Sequence, residues 1–130
     1  MIFILTIKVL ILMTSSQIKF VHKGWGFEKW IVNNNDYCGK LLYFFENKKC
    51  SWHYHKIKDE TFYIQSGKII LMYSVNDDLK SANSIILNPG DKFHIYVGMR
   101  HQMQALENTE LFEFSTQHFD EDSYRLIKGD

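Results

Sequence analysis

The sequence of 130 residues contains only two cysteines, Cys38 and Cys50, and no CxxC pair. Two cysteines without such a pair make no disulfide framework, and we expect reduced, packed thiols in a cytoplasmic protein. The sequence also lacks an excess of charge, because 15 lysines and arginines balance 15 aspartates and glutamates. Without a net charge, no global field attracts nucleic acid or an anionic membrane. We therefore expect neither of these as a partner.

A long hydrophobic segment is absent as well. The apolar stretch of residues 1–13 is interrupted by Thr6 and Lys8. It is shorter than the roughly 20 residues that a helix needs to cross a bilayer. A secretion signal is disfavoured, because Lys8 lies inside the stretch and residues 14–17 form a poor cleavage site. We predict that residues 1–17 are an apolar extension or an edge strand, with either Met1 or Met13 as the native start.

Residues 18–130 are predicted to form one domain, because a chain of this length with 45% hydrophobic residues encloses a single core. Short apolar or alternating runs recur throughout it, separated by turns rich in Asn, Asp and Gly. The nine runs are residues 27–32, 40–45, 51–55, 61–65, 68–74, 84–87, 92–97, 101–106 and 110–115. This pattern predicts an all-β jelly roll or closed barrel. Only residues 120–127 are typical of a helical turn.

His53 and His55 are two residues apart. On a strand both side chains leave the same face, whereas on a helix they diverge by roughly 200°. The spacing therefore favours a strand. Glu60 begins the next apolar run, and a hairpin through residues 56–59 is expected to return its carboxylate toward the two histidines. His101 joins this set only if a barrel closes. Three imidazoles and one carboxylate then suggest a metal site with open positions for water or substrate.

The motifs around these four residues resemble those of the cupin superfamily. The first is H-x-H-x4-E-x6-G from His53 to Gly67, and the second is G-x5-Y-x-G-x2-H from Gly90 to His101. The resemblance implies a single-domain double-stranded β-helix, in which His53, His55, Glu60 and His101 bind a divalent metal. Zn, Mn, Fe and Ni all accept such ligands, and the sequence does not distinguish them.

The sequence departs from the cupin motifs at three positions that are not ligands. Asn47 stands where the first motif usually opens with Gly. Tyr96 and Ala105 stand where the second motif usually has Pro and Asn. Ala105 shares the face of His101 on an extended strand, so a smaller and drier pocket lining is expected there.

The flanking sequences resemble the mannose-6-phosphate isomerase type of sugar-processing cupins. The shared features are Trp25-Gly26 before the barrel, and the segments 113–118 and 122–125 after it. The resemblance implies a metal-dependent isomerase or epimerase of a sugar or sugar phosphate, in which a base moves a proton between adjacent carbons. Glu113 is the candidate base. Its alternative is a glutamate paired with a neighbouring Lys or Arg, and Phe112 and Phe114 are expected to be buried on the opposite face.

Four further residues are candidates for substrate contacts. Tyr63, Gln65 and Lys68 are candidates for sugar hydroxyls, and Arg125 is a candidate for an anion. Two other functions remain open at this point: an Fe-dependent cupin dioxygenase, and a non-catalytic sugar-binding cupin. Because cupins commonly pair through sheet edges, we also expect a homodimer.

Overall fold

The computed structural model describes residues 17–130, in which eleven β-strands form two antiparallel sheets. The strands are β1 Lys19–Lys23, β2 Gly26–Asn33, β3 Cys38–Phe44, β4 Trp52–Tyr54, β5 Glu60–Ser66, β6 Ile69–Ser74, β7 Asn83–Leu87, β8 Lys92–Ile95, β9 Arg100–Ala105, β10 Thr109–Ser115 and β11 Tyr124–Ile127. Six strands form one sheet in the order β1-β2-β3-β10-β5-β8. The other five form a second sheet in the order β11-β4-β9-β6-β7. The predicted all-β jelly roll is confirmed.

The two sheets enclose an apolar core, which forms because buried and exposed side chains alternate along the strands. In β3 every second residue from Cys38 to Phe44 is buried, and in β10 the same holds for Thr109, Leu111 and Glu113. Alternate side chains of a strand point to opposite faces, so one face of each strand contributes to the interior. The core residues are Trp25, Leu42, Phe44, Cys50, Phe62, Ile64, Ile69, Leu71, Leu87, Ile95, Met103, Ala105 and Leu111. Both cysteines are free and buried, as predicted.

Three expectations about local structure need correction or completion. The sequence pattern missed β1, which pairs with β2 at the edge of the six-stranded sheet. In the tail a 3-10 turn occupies Asp120–Asp122, but the rest forms β11 and pairs with β4. Phe112 and Phe114 are not buried, since Phe114 is 56% exposed and Phe112 is partly exposed. The buried face of β10 instead carries Leu111 and Glu113.

The predicted apolar extension at residues 1–17 lies outside the described residues apart from its last one. Within residues 17–130, no helix has the length and apolar character needed to cross a membrane.

Gly67 and Gly90 both have a left-handed backbone, with φ of +90° and +91°, but their surroundings differ. A Cβ on Gly67 would lie 2.4 Å from the carbonyl oxygen of Asn108, whereas a Cβ on Gly90 meets nothing within 4 Å. We expect Gly90→Ala to lower the free energy of unfolding by about 1 kcal/mol, from backbone strain alone. Gly67→Ala adds a backbone clash and is expected to cost more than about 3 kcal/mol. Urea denaturation measures both, and equal losses would contradict this assignment.

Candidate metal centre

The three predicted histidine ligands meet on the inner face of the five-stranded sheet. His53 on β4 is directly opposite His101 on β9, and His55 follows two residues after His53. The ring centroid of His53 lies 4.3 Å from that of His101 and 5.0 Å from that of His55. One nitrogen of each ring lies within 4.8 Å of the other two. The pairing of β4 with β9 thus brings His53 and His101 together, although they are 48 positions apart in the sequence.

Each imidazole is oriented by a backbone carbonyl. The Nδ1 of His53 lies 2.9 Å from the carbonyl oxygen of Ser51. His55 Nδ1 lies 2.9 Å from the carbonyl oxygen of Asp122, and His101 Nδ1 lies 3.0 Å from that of Met99. A carbonyl only accepts, so each Nδ1 carries the proton and donates. In a neutral ring this arrangement leaves Nε2 with a free lone pair, which is the tautomer that binds a metal.

Glu60 reaches the histidines from the opposite sheet. Its Oε2 lies 3.1 Å from the Nε2 of His55 and 3.5 Å from the Nε2 of His101. The expected hairpin is absent: residues 56–59 cross between the sheets, and Glu60 begins β5, which pairs with β10 and β8. The hairpin prediction was wrong because proximity arises across the sandwich and not along one sheet.

The facing lone pairs of this cluster fit a bound cation. Glu60 Oε2 and His101 Nε2 are buried, and neither has a hydrogen-bond partner within the described part of the chain. Lone pairs of a carboxylate and of neutral imidazoles repel one another at these distances, and buried polar atoms are seldom left unpaired. A divalent ion held by His53, His55, Glu60 and His101 removes both costs. The residues therefore fit the metal that the motifs predict.

The protonation states also suit metal binding. Burial, together with the nearby charge of His55, lowers the pKa of His101 to about 3. Burial beside the other two rings holds the pKa of His53 well below its usual range. Burial alone raises the pKa of Glu60, but Lys58 and the histidines outweigh it and lower the value to about 2. At neutral pH His53 and His101 are therefore neutral imidazoles and Glu60 is a carboxylate, which are the forms that bind a metal.

Lys58 is a buried cation of the site that the sequence interpretation missed. Its Nζ donates to Glu113 Oε2 at 3.0 Å, lies 3.1 Å from His118 Nδ1, and lies 3.8 Å from Glu60 Oε1. Burial alone lowers the pKa of Lys58, but the two carboxylates raise it above its ordinary value. The available signal was parity, because Lys58 precedes Glu60 by two residues and extended chain directs both to one side.

Glu113 lies in the same cavity as the predicted ligands and is not part of the histidine cluster. Glu113 is 4% exposed and accepts from Lys58, so the ion-paired alternative is observed, while its role as a base stays a prediction. His118 is likewise outside the ligand cluster, because its Nε2 pairs with Asp120 Oδ1 at 3.0 Å.

The cavity has a volume of about 640 Å³ and opens between the two sheets. Arg125, the candidate anion contact, lines it from β11, where it pairs with His53 of β4. Tyr63, Gln65 and Lys68 are not among its lining residues. Tyr63 and Gln65 alternate with buried Phe62 and Ile64 and are exposed on the outer face of β5. The structure therefore does not bring these three candidates to the site.

Asp122 connects the tail to the metal centre. Its carboxylate accepts hydrogen bonds from the backbone N–H groups of Lys56 at 2.9 Å, Ile57 at 3.2 Å and Lys58 at 3.0 Å. Its carbonyl accepts from His55. One buried residue thus holds the segment that carries Lys58 and Glu60 and also orients a ligand. The sequence marked Asp122 only through the tail motif and gave no sign of this role.

We expect Asp122→Asn to weaken metal binding by roughly 10–100-fold, because an amide cannot accept from all three N–H groups. Glu121→Gln, in the same turn but exposed and outside the cavity, is the matched control and keeps wild-type affinity. Competition with a chromophoric chelator measures both affinities, and circular dichroism checks the fold. Equal affinities for the two folded variants would contradict the positioning role.

The buried histidines make the metal-free protein sensitive to acid. The pKa of His101 is about 3 in the folded state, below its ordinary value, so the unfolded state takes up the proton first as the pH falls. Stability is fully present above about pH 6.5 and is lost as the pH falls toward 3. Between pH 7 and pH 5 we expect His101 alone to cost about 2 kcal/mol.

Urea denaturation of chelator-treated protein at several pH values tests this loss. His101→Gln is expected to reduce the pH dependence between 7 and 5, whereas His22→Gln, at an exposed position of β1, leaves it unchanged. An unaltered slope in His101→Gln would show that this imidazole is not the group responsible.

No protein-family model matches the sequence, and no curated protein matches it. Solved structures do match. The capsular polysaccharide assembling protein CapF from Staphylococcus aureus aligns with a TM-score of 0.74 and 17% identity, over 85% of this chain and 34% of CapF. KdgF from Halomonas sp. aligns with a TM-score of 0.68 and 17% identity, over 79% of this chain and 89% of KdgF.

Oxalate decarboxylase from Bacillus subtilis aligns with a TM-score of 0.73 and 17% identity, over 85% of this chain and 30% of the decarboxylase. The chain therefore spans about a third of CapF and of the decarboxylase, and most of KdgF. All three are cupins. At these identities the likeness concerns the fold, and it agrees with the two sheets, the motif spacing and the inward histidines: the chain has the fold of a cupin jelly roll.

Proposed function

We propose that the protein is a metal-dependent enzyme that moves a proton between adjacent carbons of a sugar or sugar phosphate, as an isomerase does, or returns it to the opposite face of the same carbon, as an epimerase does. The observation that carries the proposal is Glu113. It is a buried carboxylate that faces the cavity of the ligand cluster without belonging to that cluster. Proton transfer uses a positioned base that is not a metal ligand, and a buried carboxylate facing the cavity can act as one, whereas a site that only binds a metal needs no such group.

His53, His55, Glu60 and His101 are the residues that would hold the metal. When bound there, a divalent ion supplies a Lewis acid that polarises substrate oxygens. Three imidazoles and one carboxylate leave coordination positions open, and Zn, Mn, Fe and Ni are all compatible with this set. The size of the cavity, about 640 Å³, falls within the range of small-molecule sites.

Glu113 would remove the proton from the carbon beside the carbonyl. The C–H bond breaks, an O–H bond forms on Glu113, and the electron pair passes to the substrate oxygens as an enediolate. Glu113 then returns the proton to the neighbouring carbon while the hydroxyl proton passes from the oxygen of that first carbon to the oxygen of its neighbour, so the carbonyl changes position and the enzyme ends unchanged. During the transfer the negative charge moves from Glu113 to the substrate, and the ammonium of Lys58, 3.0 Å from Glu113 Oε2, stays to stabilise it.

The walls of the cavity suit a polyhydroxylated ligand. Trp25 and Trp30 line it together with charged side chains from both sheets. Aromatic rings pack against the apolar faces of sugars, and charged groups bond hydroxyls. Arg125 lines the cavity from the edge strand β11 and is exposed, and this position supports the proposal that it contacts an anionic group of the substrate.

We expect the metal-loaded protein to exchange hydrogen at C2 of at least one hexose, pentose or sugar phosphate in deuterated water, as measured by NMR. Glu113→Gln keeps the shape of the side chain but not the base, and is expected to slow exchange by roughly 10²–10⁴-fold. Glu110→Gln on the same strand, where Glu110 accepts from Ser66 outside the cavity, is the control.

Absence of exchange with every sugar tested would refute the isomerase and epimerase proposal. Oxygen consumption by the Fe(II)-loaded protein would then support the dioxygenase alternative, since isomerisation consumes no oxygen. Mass spectrometry of protein purified without chelator gives the metal content, and His101→Ala is expected to lose that metal.

A further inference from the structure

A row of facing residues crosses the six-stranded sheet from edge to edge. Each is opposite the next in the strand register, in the order Lys19, Trp30, Lys40, Glu113, Phe62 and Phe93. All but Phe93 line the cavity. Phe62 lies near the metal centre, with its ring 6.0 Å from that of His101. Lys19 is at the far end of the row, on the edge strand β1. The half of the row beyond Glu113 carries two cations and an aromatic ring.

Lys40 is the unusual member of this row. It is only 2% exposed, yet its ammonium makes no hydrogen bond to any residue between 17 and 130. The nearest carboxylate oxygen, Glu28 Oε1, is 3.6 Å away and already accepts from Trp30 Nε1 at 2.8 Å. At 3.6 Å this ion pair is longer than a hydrogen bond, so the ammonium keeps N–H donors for a ligand. Its position in the cavity wall directs these donors at whatever fills the cavity.

Positive charge is concentrated around Trp30. The Nζ of Lys40 lies 4.0 Å from the ring centroid, and the Nζ of Lys19 lies 4.2 Å from it. Glu28 is the one carboxylate in contact with Lys40 among the described residues, and Lys19 has no ion-pair partner in that part of the chain. Two ammonium groups thus share one ring at this end of the cavity, where Glu28 and, at longer range, Asp120 are the nearby carboxylates.

We propose that Lys40, Lys19 and Trp30 form an anion subsite, separate from the metal centre, that takes a carboxylate or phosphate group of the substrate. Neighbouring strands are about 5 Å apart, so Lys40 and Trp30 lie about 5 and 10 Å from Glu113 along the row. This separation matches that between the reacting carbons and the far end of a five- or six-carbon sugar. The inference deepens the proposed function and rests on it for the identity of the sugar. The anion site itself does not depend on the proposed function.

Inorganic phosphate tests the subsite without metal or turnover. We expect phosphate to bind chelator-treated protein and to change tryptophan fluorescence, in a manner that weakens as salt is raised. Lys40→Met keeps the length of the side chain without its charge and is expected to lose at least tenfold in phosphate affinity. Lys80→Met, at an exposed position on a surface turn, is the control and keeps wild-type affinity. Phosphate binding that is equal in the two variants would overturn the proposal.

A second variant and a direct signal protect this test against misfolding of Lys40→Met. Lys19→Met changes an exposed residue at the mouth of the cavity and is expected to lose severalfold in phosphate affinity. In the wild type, phosphate is expected to shift two lysine ammonium resonances in NMR, of which Lys19→Met removes one. No affinity change in Lys19→Met together with unshifted ammonium resonances would overturn the proposal as well.

Turnover experiments separate this inference from the proposed function. With metal bound, glucose 6-phosphate and glucuronate are compared with glucose in the C2 exchange assay, and these arms distinguish phosphate from carboxylate. The preference of kcat/KM for the charged sugars is expected to fall at least tenfold in Lys40→Met. Exchange without any such preference would overturn the subsite and keep the function. Phosphate binding that depends on Lys40, without exchange of any sugar, would keep the subsite and overturn the function.

Discussion

The hydrogen bonds of the Asp122 carboxylate hold the crossing between the two sheets, and the metal centre depends on that crossing. Three successive N–H groups, those of residues 56–58, point at one carboxylate, while the carbonyl of the same residue orients His55. The predicted ligands His53 on β4, His55 just after it and Glu60 on β5 all lie within four residues of this segment. If this segment moved, Glu60 would leave the histidines, and Lys58 would leave the cavity. The precision of a metal site requires such a supporting layer, since the ligands alone do not fix their own rotamers.

The site is built at the expense of the apolar core. On the inner faces of β3 and β10, Leu42, Phe44 and Leu111 fill the sandwich, but Lys40 and Glu113 occupy equivalent inward positions farther along. Buried charges contribute little net stability, because their desolvation offsets their attraction. The fold tolerates them where the sheets separate into a cavity, and the well-packed end of the sandwich supplies the stability that this end does not.

Much of the fold and the clustering of the histidines could be predicted, because both follow from local patterns. Period-two alternation located most strands, and the H-x-H spacing placed His53 and His55 on one face. The sequence Leu111-Phe-Glu-Phe114 does not show which face of β10 is buried, since both faces carry apolar residues. The buried face is fixed only in the folded sheet, where Glu113 pairs with Lys40 of β3. Strand β11 was missed because it depends on pairing with β4, which the sequence does not show. The acidic turn before it made a helical turn the expected structure. Lys58 and Asp122 act through contacts that no sequence spacing announces.

The ion pair of Glu113 with Lys58 restricts the chemistry that the cavity can support. If Glu113 accepts a proton, Lys58 loses its closer carboxylate and keeps only Glu60 at 3.8 Å, which is unfavourable unless a new negative charge forms nearby. Reactions that place an anion on the substrate as the proton leaves therefore suit this pair, and enediolate formation is of this kind. A reaction that draws only on the metal gains nothing from the pair and still bears the cost of burying it. The presence of both charges beside the ligand cluster thus favours proton transfer over chemistry confined to the metal.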